Sequence, residues 1–150
     1  MTEDKSILIA VDPQDLEAAQ DLARAAKVDM EVQPKSQFLD PLSIILISGG
    51  VAAIAKFTAD LIDRFHGGIV VDLRPSAKQL VRRDKSVPYG WALVIAADGK
   101  VEINVHDAPK DALERWVSDI IQGVLKNTKD VAEAAAKTFG KDKVKLAAAS

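Results

Sequence analysis

Apolar and polar positions divide the chain into blocks with two different periods. Ser6–Val11 (SILIAV) is a short apolar run with a sharp end, the pattern of a buried strand. Asp12-Pro13 then signals a helix start, because Asp can cap free amides and Pro at the first helical position loses no hydrogen bond. Leu16, Ala19, Leu22, Ala23 and Ala26 follow at helical spacing, with Asp15, Glu17, Gln20, Asp21 and Arg24 between them. Val28–Val32 (VDMEV) alternates apolar and acidic residues, as a half-buried strand does. The first 33 residues therefore predict a compact β-α-β unit. Gln33–Leu39 reads as a loop, and Asp40-Pro41 repeats the helix-start signal.

The longest apolar run is Leu42–Phe65 (LSIILISGGVAAIAKFTADLIDRF). It predicts one long helix ending at Gly67-Gly68, roughly 25 residues or about 38 Å at 1.5 Å per residue. Its isoleucine-rich start, Ser43–Ser48, also fits a buried strand. The two halves differ. From Thr58 on, Leu61, Ile62 and Phe65 form one stripe, while Lys56, Asp60 and Arg64 form another, four apart. From Leu42 to Ala55 no face carries a charge, and a helix apolar all round must be enclosed. Gly49 and Gly50 would cost such a helix roughly 1 kcal/mol each against alanine, and Gly49 and Ala53 have the small-xxx-small spacing that admits another backbone. Ile47, Gly49, Gly50, Val51, Ala53 and Ile54 are accordingly the expected interaction face. The uncharged run is 14 residues. A membrane span needs about 20, and runs of about 10–14 are more often core or interfacial helices.

Ile69–Leu73 (IVVDL) predicts the next strand. Residues 74–88 show no clear period and predict a mobile connection with a helical turn at Ala77–Val81. Tyr89–Ala96 and Lys100–Val105 predict a hairpin around Asp98-Gly99, residues that tolerate the backbone angles of a tight turn. Asp107 and Pro109 open a further helix, with Leu113, Trp116, Val117, Ile120, Ile121, Val124 and Leu125 as its stripe. Thr128–Phe139 predicts an alanine-rich helix ending at Gly140, and GKDKVKLAAAS a frayed tail.

Composition adds limits. The 150 residues carry a net charge of −2, with 48% apolar and 28% charged residues, which is ordinary for a globular domain. The absence of cysteine excludes disulfides and thiolate chemistry. The start, MTEDKS, lacks the basic and apolar segments of a secretory signal. A cytoplasmic protein is expected, with peripheral membrane association as the alternative. Charge is uneven: residues 1–40 hold nine acidic and four basic side chains, whereas residues 74–85 hold Arg74, Lys78, Arg82, Arg83 and Lys85 against Asp84. Residues 126–150 carry six lysines against Asp130, Glu133 and Asp142. Arg74, Lys78, Arg82 and Arg83 are candidate contacts for an anion or a partner.

Candidate chemistry is sparse. His66 falls at a helix C-terminus and His106 at a strand end, and no spacing supplies further zinc ligands. Ser48 in ISGG lacks the preceding glycine of a nucleophile elbow, with Leu46 in its place. No glycine-rich nucleotide loop is present. Asp72 followed by Asp98-Gly99-Lys100 resembles the acid-acid-lysine set of metal-dependent nucleases, but it places the second acid at a hairpin tip. The basic segment lacks interleaved aromatics, so nucleic-acid binding is not expected. Tyr89 and Trp91 read as core or rim aromatics.

Across Asp15–Lys27, Ile47–Phe65 with its SGG, Ile69–Leu73, Asp98–Val105 and Asp111–Ile121, the order of elements resembles the small effector-associated constant components of bacterial conflict systems. The basic insertion 74–88 and the alanine/lysine tail depart from that pattern. The resemblance implies a non-catalytic accessory beside effectors or signalling NTPases, and it assigns no functional residue. The expected fold is α/β (α+β): a two-layer domain over residues 1–127, with a small mixed sheet of about five strands in the order β-α-β-α-β-β-β-α-α. Residues 128–150 add a helix and a tail. The expected function is a cofactor-free, non-enzymatic interaction component that self-associates through residues 42–55. Two alternatives stand beside it: a membrane-active accessory using the same helix, and a metal-dependent hydrolase.

Overall fold

The computed structural model describes residues 4–34 and 42–147. Its strands are β1 (Asp4–Val11), β2 (Asp29–Val32), β3 (Ser43–Gly50), β4 (Ile69–Asp72), β5 (Val81–Arg83), β6 (Trp91–Ala96), β7 (Gly99–Asn104) and β8 (Val144–Ala147). Its helices are α1 (Leu16–Ala26), α2 (Val51–Phe65), α3 (Lys110–Ile121) and α4 (Thr128–Phe139). The Asp40-Pro41 signal and the end of the tail lie outside the described residues.

Leu42–Phe65 is not one helix. Ser43–Gly50 is a strand and α2 begins directly at Val51, with Gly50 as its N-cap. Ser43, Ile45 and Ile47 are buried while Ile44, Leu46 and Ser48 are partly exposed, the period of two that defines a strand. Isoleucine-rich chain favours the extended form. All eight residues of β3 pair antiparallel with β1, so no enclosing partner is needed to satisfy this backbone. The two glycines that would weaken a helix fall where the strand hands over to α2.

One mixed sheet runs in the order β2-β3-β1-β5-β4-β6-β7-β8. Among the described residues it has eight strands, against the expected five or so. β1 and β5 are parallel, as are β4 and β6; the other neighbouring pairs are antiparallel. Two of the additional strands come from segments without a readable period. Val81–Arg83, within the supposed mobile connection, forms β5 in the middle of the sheet, held by β1 and β4. Val144–Ala147, within the supposed frayed tail, pairs with β7 as an edge strand. Strands this short take their conformation from long-range pairing rather than from local pattern.

Among the described residues, helices cover a single face. Ile9, Val11, Ile45, Ile47, Ile69, Val71, Val81, Val94, Val101 and Ile103 join Ile54, Phe57, Leu61, Leu113 and Trp116 in one buried cluster. Strand residues of the other parity, Val70, Trp91, Leu93 and Ile95, form a separate cluster with Val87 from the connection before β6, and no helical residue belongs to it. On the covered side, Asp60 of α2 is buried between Lys56 at 3.1 Å and Lys110 of α3 at 3.4 Å. Lys110 thus takes the place expected for Arg64. The turn after α2 brings two backbones together: a Cβ at Gly67 would lie 2.8 Å from the Trp91 backbone, and its φ of +84° also suits glycine.

Candidate functional site: the uncovered face of the sheet

Strand register fixes which side chains the bare face presents. Leu8 stands opposite Leu46 and Ala10 opposite Ile44, and Ala10 and Val70 both pair with Arg82. Val70 neighbours Leu93, which stands opposite Glu102, which in turn stands opposite Lys145. Because side chains alternate, these residues share one face. Leu8, Ile44, Leu46, Trp91 and Leu93 are each partly exposed there. Asp29 and Glu31 of β2 flank this apolar row at one margin, and Lys100, Glu102 and Lys145 flank it at the other. The segment Ser86–Pro88 lies over part of β6 and leaves a groove of about 260 Å³ floored by Trp91 and Leu93.

The six residues expected to form one helical interaction face are divided between β3 (Ile47, Gly49, Gly50) and α2 (Val51, Ala53, Ile54), and Gly49, Gly50, Val51 and Ala53 are partly exposed. Ile47 and Ile54 are fully buried in the protein's own core. Gly49 packs on Val28, with 3.5 Å between the position of a Cβ and Val28 Cγ1. Gly50 caps α2, and Val51 and Ala53 pack against the core cluster. The strand register that buries Ile45 and Ile47 turns Ile44 and Leu46 outward, so the accessible apolar residues of this stretch are those of the opposite parity.

Three of the four candidate cations have intramolecular partners. Asp72, at the end of β4, is only 4% exposed. It accepts from Arg74 Nε at 2.9 Å and Arg74 Nη2 at 2.7 Å, a two-point ion pair, and from Arg82 Nη1 at 3.3 Å. The Arg74 hydrogen bonds hold the Asp72 carboxyl below its ordinary pKa, and partial desolvation opposes them. Arg83 points to the other side of the sheet. Its guanidinium stacks on Phe65 at 4.4 Å from the ring centre and reaches the Phe65 and Gly67 carbonyls at the end of α2. Lys78 is exposed.

Asp72 on β4 and Lys100 on β7 both pair with Ile95 of β6, so the fold places the two parts of the nuclease-like set on strands either side of β6. Both acids are nevertheless engaged. Asp72 holds two arginines, and Asp98 accepts from the Thr128 amide at 2.9 Å and hydroxyl at 3.1 Å, which fastens the start of α4 to the hairpin. A cation would have to displace those donors. Among the described residues no group of His, Cys, Asp and Glu is arranged to hold a metal.

Sequence spacing also gave no sign that the two histidines meet. Tyr89 is 66% exposed and stands between His66, at 5.4 Å, and His106, at 5.6 Å. The link is a long-range one: Gly90 donates its amide to His66 O at 2.7 Å and its carbonyl accepts from His106 N. Compared with known proteins, the chain matches no family model, no curated protein and no solved structure.

Proposed function

We propose that this protein is a non-enzymatic interaction component that self-associates through the bare face of its sheet. The observation behind this reading is that, among the described residues, eight strands are layered by helices on one side only, leaving a partly exposed apolar row on the other. Eight strands about 4.8 Å apart give a face roughly 34 Å wide; with the short strands it offers on the order of 600–700 Å², near the roughly 800 Å² each partner buries in a standard interface. Apolar groups flank a central Asp72–Arg82 ion pair and the margins are charged, so the face combines apolar patches with a polar rim, as such interfaces do.

Charge favours a second copy as the occupant. A two-fold axis parallel to the strands lays the β2 margin of one copy, with Asp29 and Glu31, over the β8 margin of the other, with Lys145 and Lys100. It also sets β4 over β5, bringing Asp72 of one copy near Arg82 of the other. The contact is closed and isologous. An axis across the strands would instead stack the two acidic margins. The role as an accessory beside an effector rests on the resemblance of element order alone. The membrane alternative rested on an apolar helix over residues 42–55 with its flanking basic segments; Ser43–Gly50 of that stretch is a strand, which leaves this alternative without its helix, and among the described residues no helix is long and apolar enough to cross a membrane.

Sedimentation equilibrium tests the reading. The expected result is a dimer that Leu46→Asp converts to monomer with its melting temperature nearly kept. Glu31→Lys and Lys145→Glu should each weaken the dimer, and together restore it. A monomer at high micromolar concentration, or a dimer indifferent to Leu46→Asp, overturns the proposal.

A further inference from the structure

At the carboxyl ends of β4 and β6 the chain divides. The two strands are parallel neighbours, but β4 leads away to β5 on one side and β6 to β7 on the other. Diverging connections open a crevice between strand ends, the position where open α/β sheets bind ligands. Two cavities occupy it, of about 470 and 290 Å³, and they share Arg74 and Ala97 as a common wall. Lys126 lines one and Lys100 the other. The larger is walled mainly by apolar side chains, among them Leu73, Leu80, Ile120 and Leu125.

The acids in this cleft are already occupied. Asp72 is held by Arg74 and Arg82, and Asp98 by Thr128. Asp130, beside the cleft, accepts from the Lys126 amide at 3.3 Å. The three cations that line the cleft are less fully committed. Asp72 takes Nε and one Nη2 hydrogen of Arg74, so the Nη1 edge of the guanidinium remains open for a second acceptor. A buried carboxylate that fixes an arginine also removes much of the side-chain entropy that anion binding would otherwise cost.

We infer that the cleft shared by Arg74 and Ala97 binds a small amphipathic anion, with its phosphate or carboxylate on the Arg74 Nη1 edge and its apolar body along Leu73, Leu80, Ile120 and Leu125. Lys100 and Lys126 supply further positive potential at the two ends. Arg74 is the anchoring residue and Asp72 the positioning residue. The cleft borders the face proposed for self-association and shares Asp72 and Lys100 with it, but Arg74 and the apolar wall of Leu73, Leu80, Ile120 and Leu125 are not part of that apolar row, and the inference does not depend on that proposal.

Calorimetric titration with octyl phosphate below its micelle concentration tests the site, with inorganic phosphate and octanol as its two halves. Octyl phosphate should bind, more weakly as salt is raised, and more tightly than either half. Arg74→Gln should weaken it at least about tenfold, since a charge-assisted hydrogen bond is lost. Because Arg74→Gln also disturbs Asp72, Ala97→Trp is the second variant: it fills the shared wall, leaves the ion pair intact, and should abolish binding. Leu46→Asp should leave binding unchanged, which separates this site from the sheet face. No binding of octyl phosphate, binding equal to that of inorganic phosphate, or affinity unaltered in Ala97→Trp overturns the inference.

Discussion

Leu46 and Ile47 are neighbours in one strand, nearly equal in size and hydrophobicity, and they face opposite layers. Ile47 points into the helical layer and is fully buried, while Leu46 points to the bare side and keeps part of its surface in water. Arg82 and Arg83 repeat the contrast in charge. Arg82 lies on the bare face beside Asp72, whereas Arg83 crosses to cap α2. The two faces of the sheet use the same residue types for different ends. On the covered face apolar groups interdigitate with helices, and on the bare face they are left for something outside the monomer. Parity along a strand therefore decides which residues are core and which are candidates for function.

The largest expected effect tests that parity. Ile47→Ala should cost about 2–5 kcal/mol in urea unfolding, because it opens a cavity in a packed core. Leu46→Ala should cost the monomer under about 1 kcal/mol, as for a partly exposed position. If Leu46→Ala proves the costlier in the monomer, the assignment of faces is wrong.

Asp72→Asn should cost about 2–3 kcal/mol at neutral pH, since it leaves two arginines facing a neutral group where a buried carboxylate had stood. The dependence on pH has a definite sign. The folded-state pKa lies below the unfolded one, so the stabilisation is full above the ordinary carboxylate range and is lost as the pH falls through the folded value. Melting curves of wild type and Asp72→Asn should therefore converge in acid. A gap that stays constant would show that the carboxylate's charge contributes nothing.

Arg83→Ala should cost about 1–2 kcal/mol, through the lost stacking on Phe65 and the lost donors to the α2 carbonyls. Its hydrogen-exchange signature should appear at the end of α2 rather than on the bare face. Asp98→Ala is the mildest change. It should cost about 1 kcal/mol, the scale of a helix-start contact, and speed amide exchange in the first turn of α4 without affecting α2. Faster exchange throughout would mean that the hairpin supports more than α4.

Much of the fold was legible along the chain. α1, α2 from Val51 onward, α3, α4 and the β6–β7 hairpin follow from helical stripes, caps and an Asp-Gly turn, all of them local signals. The failures have one cause. Ser43–Ser48 is too short and too uniformly apolar for its period to stand out against a helix that follows without a break, and β5 and β8 are too short to show any period. Their extended form comes from partners far away in sequence: β3 from β1, β5 from β1 and β4, β8 from β7. The candidate site suffered more than the fold, because reading a strand as a helix selects the wrong set of side chains. Ile47 and Ile54 were read in place of Ile44 and Leu46. The cleft around Arg74 was not legible at all, since it exists only where β4, β6 and the α3–α4 turn meet.

Residue types along the chain are enough to establish that Leu42–Ala55 carries no charge, that the helices are amphipathic, and that the segment 74–85 is basic. Only the tertiary structure decided that half of this stretch is a strand beside β1, that its even-numbered residues face outward, and that three of the four candidate cations are bound to groups of the same chain. The physical reason is that hydrophobicity is a property of a residue, whereas strand register and ion pairing are properties of two segments brought together.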